Sequence, residues 1–248
     1  MSTGGICVGC AGWSVPAAEK DRFPTEGSHL ERFATRLPAV EIDSSFYRTH
    51  RPATYARWAA SVPPSFRFAV KLPKTITHDA GLRDIESALD AFLAGPRSLG
   101  AKLGCLLVQL PPRLEFIPEI VERFLVALRQ RHAGLVVAEP RHPGWFGEEA
   151  EQLLRRFHVG RVAADPARVP AAARPGGWPG LVYYRLHGSP RMYYSSYSPQ
   201  FLRNLADRLT NHARPETPVW CIFDNTALGA ATSNALELLR ELAQSDGV

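Results

Sequence analysis

Short apolar runs of strand length alternate along this chain with longer stretches whose hydrophobic residues recur at helical spacing. The strand-like runs cover residues 6–11, 40–43, 66–71, 103–110, 135–139, 161–165, 182–187 and 219–224. Several are nearly continuous in apolar residues, as in Leu106-Leu107-Val108 and Leu135-Val136-Val137. Such runs are expected of parallel strands covered on both faces. Between them, Leu30, Phe33 and Leu37 form an amphipathic stripe. The same spacing recurs at Ile120, Phe124, Leu125 and Leu128, at Leu153, Leu154 and Phe157, at Leu202, Leu205 and Leu209, and at Leu236, Leu239 and Leu242. It fails after the sixth strand, where residues 171–180 hold Pro175, Gly176, Gly177 and Pro179. That composition predicts an irregular or missing helix there.

Eight strands alternating with about seven helices predict one closed TIM-type (β/α)8 barrel over residues 1–248, a length usual for that fold. A doubly wound sheet would carry a Gly-rich loop after its first strand, but Gly9-Cys10-Ala11-Gly12-Trp13 lacks GxGxxG spacing. No low-complexity linker divides the chain.

In such a barrel the strand C-termini build the working site. Here almost every strand stops on a group that can ionise or donate. The second ends at Glu41-Ile42-Asp43 followed by Tyr47, the third at Lys71 with His78 nearby, and the fourth at Gln109. The fifth ends at Glu139 with Arg141, His142 and Trp145, and the sixth at Asp165. The seventh ends at Arg185 and His187, the eighth at Asp224 and Asn225. Side chains two apart on a strand share a face, so Glu41 with Asp43, and Arg185 with His187, are predicted to point into the mouth together. Buried charges must pair, because an isolated ion costs several kcal/mol to desolvate. Glu41, Asp43, Lys71, Glu139 and His187 are therefore the candidate catalytic residues, with Arg185 as their partner. Trp13, Tyr47, His78, Gln109, Arg141, His142, Trp145, Arg185, Tyr194, Tyr197, Asp224, Asn225 and Asn234 are the candidate substrate contacts. The competing explanation is a structural ionic network that closes the barrel.

Carboxylates with imidazoles also suit a divalent metal, for which Glu139, His142, His187 and Asp224 have the right chemistry. No HExxH-like spacing supports that set, Lys71, Arg141 and Arg185 compete for the same carboxylates, and no cofactor is required by the sequence. An anion is the other candidate ligand, since Arg185 and Arg191 lie beside the loops after the seventh and eighth strands. Trp13, Phe46, Tyr47, Trp145, Tyr193, Tyr194 and Tyr197 are expected to frame the rim, where rings suit a sugar or base. Trp58 and Phe68 read as core.

Composition adds limits. Hydrophobic residues make up 45% and charged residues 21%, an ordinary globular balance. The formal net charge of +5 tolerates an anionic small molecule or nucleic acid. The basic residues form no concentrated stripe, however. No run of eighteen apolar residues exists, and residues 1–5 carry no secretory pattern, so a cytoplasmic protein with no membrane or obligate protein partner is expected. Cys7 and Cys10 form a CxxC inside a strand, where residues three apart face opposite sides. That placement fits buried structural thiols better than a redox pair.

Gly9-x-x-Gly12-Trp13, Glu41 through Arg48, Lys71 with Thr77-His78, Gln109-Leu110-Pro111-Pro112, Glu139-x-Arg141-His142-x-x-Trp145, Arg185-Leu186-His187-Gly188, Asp224-Asn225 and Asn234-Ala235 follow one another in order. Together they resemble the YecE-like proteins, the domain-of-unknown-function family numbered seventy-two, over nearly the whole chain. The resemblance implies a TIM-type barrel and no established activity. Asp43 and Ser45 stand where that pattern more often has Asn and Thr, and Asp224 where Asn is common. The added acids favour a cation or basic ligand in the mouth.

Two functions fit these residues. One is an enzyme of hydrolase or lyase type acting on a phosphate- or sugar-bearing substrate, nucleic acid included, with Glu139 or His187 as acid or base and Lys71 and Arg185 stabilising anionic charge. The other is a non-catalytic binder of a metabolite or nucleic acid in the same cleft. A structural or partner-binding role ranks third.

Overall fold

A computed structural model describes residues 5–245. Its strands are β1 (Ile6–Ala11), β2 (Ala39–Ile42), β3 (Arg67–Lys71), β4 (Leu103–Gln109), β5 (Leu135–Glu139), β6 (Val159–Arg161), β7 (Ala163–Asp165), β8 (Gly176–Gly177), β9 (Val182–Leu186) and β10 (Val219–Phe223). Their order, β7-β9-β10-β1-β2-β3-β4-β5-β6-β8, is a nearly closed barrel with parallel pairing throughout except at β8. The predicted sixth strand begins earlier than expected and is divided at Val162. Its first half, β6, pairs with β5, and its second half, β7, pairs with β9. The divided strand thus spans the seam where the sheet comes round on itself.

The helices are α1 (His29–Ala34), α2 (Pro52–Ala60), α3 (Glu86–Leu93), α4 (Pro118–Arg131), α5 (Glu148–Arg156), α6 (Pro199–His212) and α7 (Ala230–Ser245). Local signals start several of them. Ser28 and Glu31 form a reciprocal capping box on α1, and Ser198 accepts from the Phe201 N–H at α6. Proline opens α2, α4 and α6, where its missing N–H costs nothing. After β7 there is no α-helix, only a 3₁₀ turn over Pro170–Ala173 and the two-residue β8 lying antiparallel on β6. Buried Arg161 holds this segment, donating to the carbonyls of Ala171 at 3.0 Å and Arg174 at 3.3 Å. No helix among the described residues is long and apolar enough to cross a membrane.

Alternation divides the core in two. Val8, Val40, Ile42, Leu106, Val136, Tyr184 and Phe223 face outward and pack under the helices. Ala39, Ala69, Cys105, Leu107, Val137, Tyr183, Trp220 and Ile222 point inward and fill the barrel. Tyr183 stacks on Trp220 with ring centres 5.8 Å apart. Cys7 packs with the inner set and Cys10 with the outer one, and burial raises their pKa values to about 11 and about 12. Neither is a reactive thiolate. Phe68 is core as expected, whereas Trp58 is only half-buried, edge-on to Trp13 with centres 5.0 Å apart.

Gly9 occupies β1 where β2 comes closest. A Cβ there would lie 2.1 Å from the Ala39 carbonyl oxygen, a backbone atom that cannot turn aside. Gly9→Ala is expected to lose stability at the upper end of the roughly 1–3 kcal/mol typical of overpacking. The urea unfolding midpoint reads this, and an unchanged midpoint would show that the two strands can part without cost.

Candidate active site

The inward stripe of each strand changes character at its C-terminal end. Two residues beyond Ala39, Ala69, Leu107, Val137, Tyr183 and Ile222 stand Glu41, Lys71, Gln109, Glu139, Arg185 and Asp224. Parallel strands of similar length bring these groups to one level, above an apolar plug.

Arg185 lies at their centre with no exposure to solvent. Its Nε and Nη2 donate to the two carboxylate oxygens of Glu41 at 3.0 and 2.5 Å, a bidentate fork. Nη1 donates to Glu139 at 2.8 Å, and Nη2 also lies 3.2 Å from Asp224. Tyr183 donates its hydroxyl to Glu41 at 2.8 Å. Glu139 further accepts from Gln109 at 3.2 Å and from Arg141 at 3.2 Å. Lys71 pairs with Asp43 at 2.7 Å and sits 4.3 Å from the centre of the Phe46 ring.

His187 joins the two sides of this network. Its Nε2 is 2.8 Å from Glu139 and its Nδ1 is 2.9 Å from Asp224. A neutral imidazole carries one N–H and would turn a lone pair toward one of those carboxylates. Both contacts are satisfied only by the imidazolium. Burial disfavours that charge, but Glu139 and Asp224 outweigh it and hold the His187 pKa above its ordinary 6.5. Burial likewise pushes Asp224 up, yet Arg185 and His187 hold it below the usual carboxyl range, and Glu139 is held well below it by Arg185, His187 and Arg141. Glu41 goes the other way, raised by complete burial against the pull of Arg185. The charges close: Glu41, Asp43, Glu139 and Asp224 face Lys71, Arg141, Arg185 and protonated His187.

The predicted cluster of Glu41, Asp43, Lys71, Glu139, Arg185 and His187 therefore comes together, with Gln109, Arg141 and Asp224 among its partners. The extra acids Asp43 and Asp224 are each matched by a cation, so they leave no surplus negative charge for a basic ligand. His78 lies nearby, its pKa lowered by burial and by Lys71, Arg113 and Arg141. Tyr47 is 72% exposed and Tyr194 is 39% exposed, both on the rim. Arg191 stacks on Tyr194, 3.9 Å from its ring centre.

Other expected contacts go elsewhere. Trp145 is buried against Phe116 and donates its indole N–H to the Leu114 carbonyl at 2.9 Å. Tyr197 is buried too, donating to Asp165 at 2.8 Å and accepting from the Gly188 N–H at 2.9 Å. Asn225 and Asn234 are buried and bonded to each other at 2.9 Å, clamping the loop through the Ser195 carbonyl and the Tyr197 backbone. His142 turns its Nδ1 to the Gly144 N–H and caps its own turn. It therefore does not join Glu139, His187 and Asp224. Among the described residues no group of three or more His, Cys, Asp or Glu has metal-ligating geometry. Glu139, His142, His187 and Asp224, the residues whose chemistry would suit a metal, do not form a ligand set, because His142 faces its own turn and the oxygens of Glu139 and Asp224 face cations.

Glu139, Arg141 and His187 open onto a small, partly open cleft whose other walls include Pro166, Arg168 and Met192. Arg168 is exposed and forms no ion pair among the described residues, so the cleft carries uncompensated positive charge. Larger hollows of about 170 and 440 Å³ lie against α4 and at the N-terminal end of the barrel, and neither holds a histidine–carboxylate pair. Sequence reasoning did not find Tyr183, Arg168 or Met192. Tyr183 was within reach of it, being two residues before Arg185 on the same face. The other two sit on irregular loops that carry no periodic signal.

The sequence model of the family described as "Protein of unknown function DUF72" matches residues 7–248. The UPF0759 protein YecE of Escherichia coli K12 is 32% identical over 177 residues, covering 68% of this chain and 62% of YecE, so the match spans under two thirds of that relative. A DUF72 family protein of Enterococcus faecalis V583 superposes with a TM-score of 0.80 at 23% identity, over 96% of this chain and 95% of its own. One from Thermotoga maritima MSB8 gives 0.79 at 23% identity, over 96% and 99%. At that identity the two structures establish the shared fold.

The raised His187 pKa contributes stability that is full below about 6.5 and is lost as pH rises through the native value. Glu139 and Asp224, both lowered, contribute above the ordinary carboxyl range and lose that contribution as pH falls through their native values. Stability is therefore expected to peak between about pH 5 and 6.5. By NMR, His187 is expected to titrate above 6.5, and Asp224→Asn to move its midpoint down. A wild-type midpoint at or below 6.5 would exclude the two-carboxylate clamp. Arg185→Met strands three carboxylates and is expected to cost at least about 3–5 kcal/mol in denaturant melts, or to prevent folding.

Proposed function

This chain belongs to the DUF72 family, and we propose that its barrel mouth is an acid–base active site, of hydrolase or lyase type, for a small phosphate- or sugar-phosphate-bearing substrate. One observation carries the reading: His187 is clamped between two carboxylates at the wall of a cleft that also presents Arg141 and the acid-free Arg168. Perturbed histidine and carboxylate groups gathered at a cleft favour function over simple structural pairing.

The proposed chemistry follows from who holds the proton. The His187 imidazolium keeps its Nδ1–H on Asp224 and can release its Nε2 proton to a leaving-group oxygen that displaces the Glu139 contact. Neutral His187, still oriented by Asp224, then accepts a proton at Nε2 from water or from a substrate carbon acid. Glu139 is too acidic to serve as an efficient base and acts as an anchor for Arg185, Arg141 and His187. Arg141 and Arg168 receive the anionic group of the substrate.

The complete pairing of the buried charges favours a second reading, a binder that uses the cleft without turnover. Assays with p-nitrophenyl phosphate, bis(p-nitrophenyl) phosphate and p-nitrophenyl glycosides separate the two. Under the enzymatic reading at least one is hydrolysed, His187→Asn lowers kcat by about 10²–10⁴-fold, and Arg168→Ala acts mainly on KM. Phosphate binding without turnover of any of these would favour the binder. If neither turnover nor phosphate binding is seen, both readings fail.

A further inference from the structure

Four non-glycine residues among those described adopt a left-handed backbone, and Tyr193, at φ 68°, is the one whose ring meets His187. A bulky residue in that conformation is strained, and it persists only where its surroundings over-determine it. Here they do. The Tyr193 N–H donates to the carbonyl of His187 itself at 2.5 Å, and the Tyr193 carbonyl accepts from Ala227 at 3.1 Å, beyond β10. The neighbouring turn is closed by Arg191 N–H to Ser195 Oγ at 2.9 Å, and Asn225 holds the Ser195 carbonyl at 2.9 Å.

The strain places one ring. Tyr193 stands edge-on to the imidazole of His187, with centres 5.9 Å apart and planes at 85°. Of this residue, 37% remains exposed at the mouth. Among the positions that shape this loop, a glycine would adopt the backbone freely but would leave His187 uncovered.

We propose that Tyr193 is a positioning residue, whose ring shields His187 from water at the wall of the cleft. The shielding of His187 stands apart from the function proposed above. Excluding water strengthens the bonds of His187 to Glu139 from β5 and to Asp224 beyond β10, against the opposing charge of Arg185 on its own strand.

The test uses protein with ¹⁵N-labelled histidine, comparing wild type with Tyr193→Gly and Tyr193→Phe. Glycine suits the backbone, so Tyr193→Gly is expected to unfold within about 3 °C of wild type. Its His187 midpoint is expected to move toward 6.5 by roughly 0.5 of a pH unit, because water now screens both carboxylate contacts. Tyr193→Phe keeps the ring, so its His187 titration is expected to match wild type. An unchanged His187 midpoint in Tyr193→Gly, or a large loss of its thermal stability, would make Tyr193 a loop residue and overturn the proposal. A Tyr193→Phe midpoint that moves as far as that of Tyr193→Gly would also overturn it.

Discussion

A guanidinium without any contact with water must find its counter-charge inside the protein. Arg185 finds it in Glu41, Glu139 and Asp224, carried by strands from three separate parts of the barrel. Desolvating such an ion costs several kcal/mol, and only well-formed bonds offset that cost. Each of the three carboxylates is in turn shared with a second group: Glu41 with Tyr183, Glu139 with His187, Gln109 and Arg141, and Asp224 with His187. The protonation of His187 follows from this sharing. With three fixed cations facing four carboxylates, the imidazolium supplies the missing positive charge.

The barrel interior thus has two solutions to one packing problem. At the N-terminal end the inward side chains exclude water with apolar bulk, the stacked Tyr183 and Trp220 above all. At the C-terminal end they exclude it with a closed set of ion pairs. Tyr183 belongs to both, its ring in the apolar plug and its hydroxyl on Glu41. The cleft opens at the side of the ionic layer beside the segment after β7 that has no covering α-helix. A helix over residues 166–181 would bring its own packing to that side; the irregular chain leaves Pro166 and Arg168 as walls instead.

Much of this was legible in residue order. Period-two alternation assigned Glu41, Lys71, Glu139, Arg185 and His187 to the inside, because side-chain direction along a strand is a local property. It also separated Cys7 from Cys10. Loop composition marked the absent helix, since closely spaced Pro and Gly oppose helix formation whatever packs around them.

Local rules could not say which polar residues beyond the strands would turn inward. Trp145, Tyr197, Asn225 and Asn234 follow strand ends as Tyr47 and Tyr194 do, yet the first four are buried as braces and the last two stand in solvent. His142 directly follows Arg141 and bonds to its own turn, while Arg141 reaches Glu139. Nor could residue order show that Asp43 and Asp224 would be neutralised, that Arg168 would wall the cleft without an acid, or that the backbone of Tyr193 would be held under strain. Those outcomes depend on how loops from distant strands pack and on many charges settling at once. Alternation along one strand carries no trace of either.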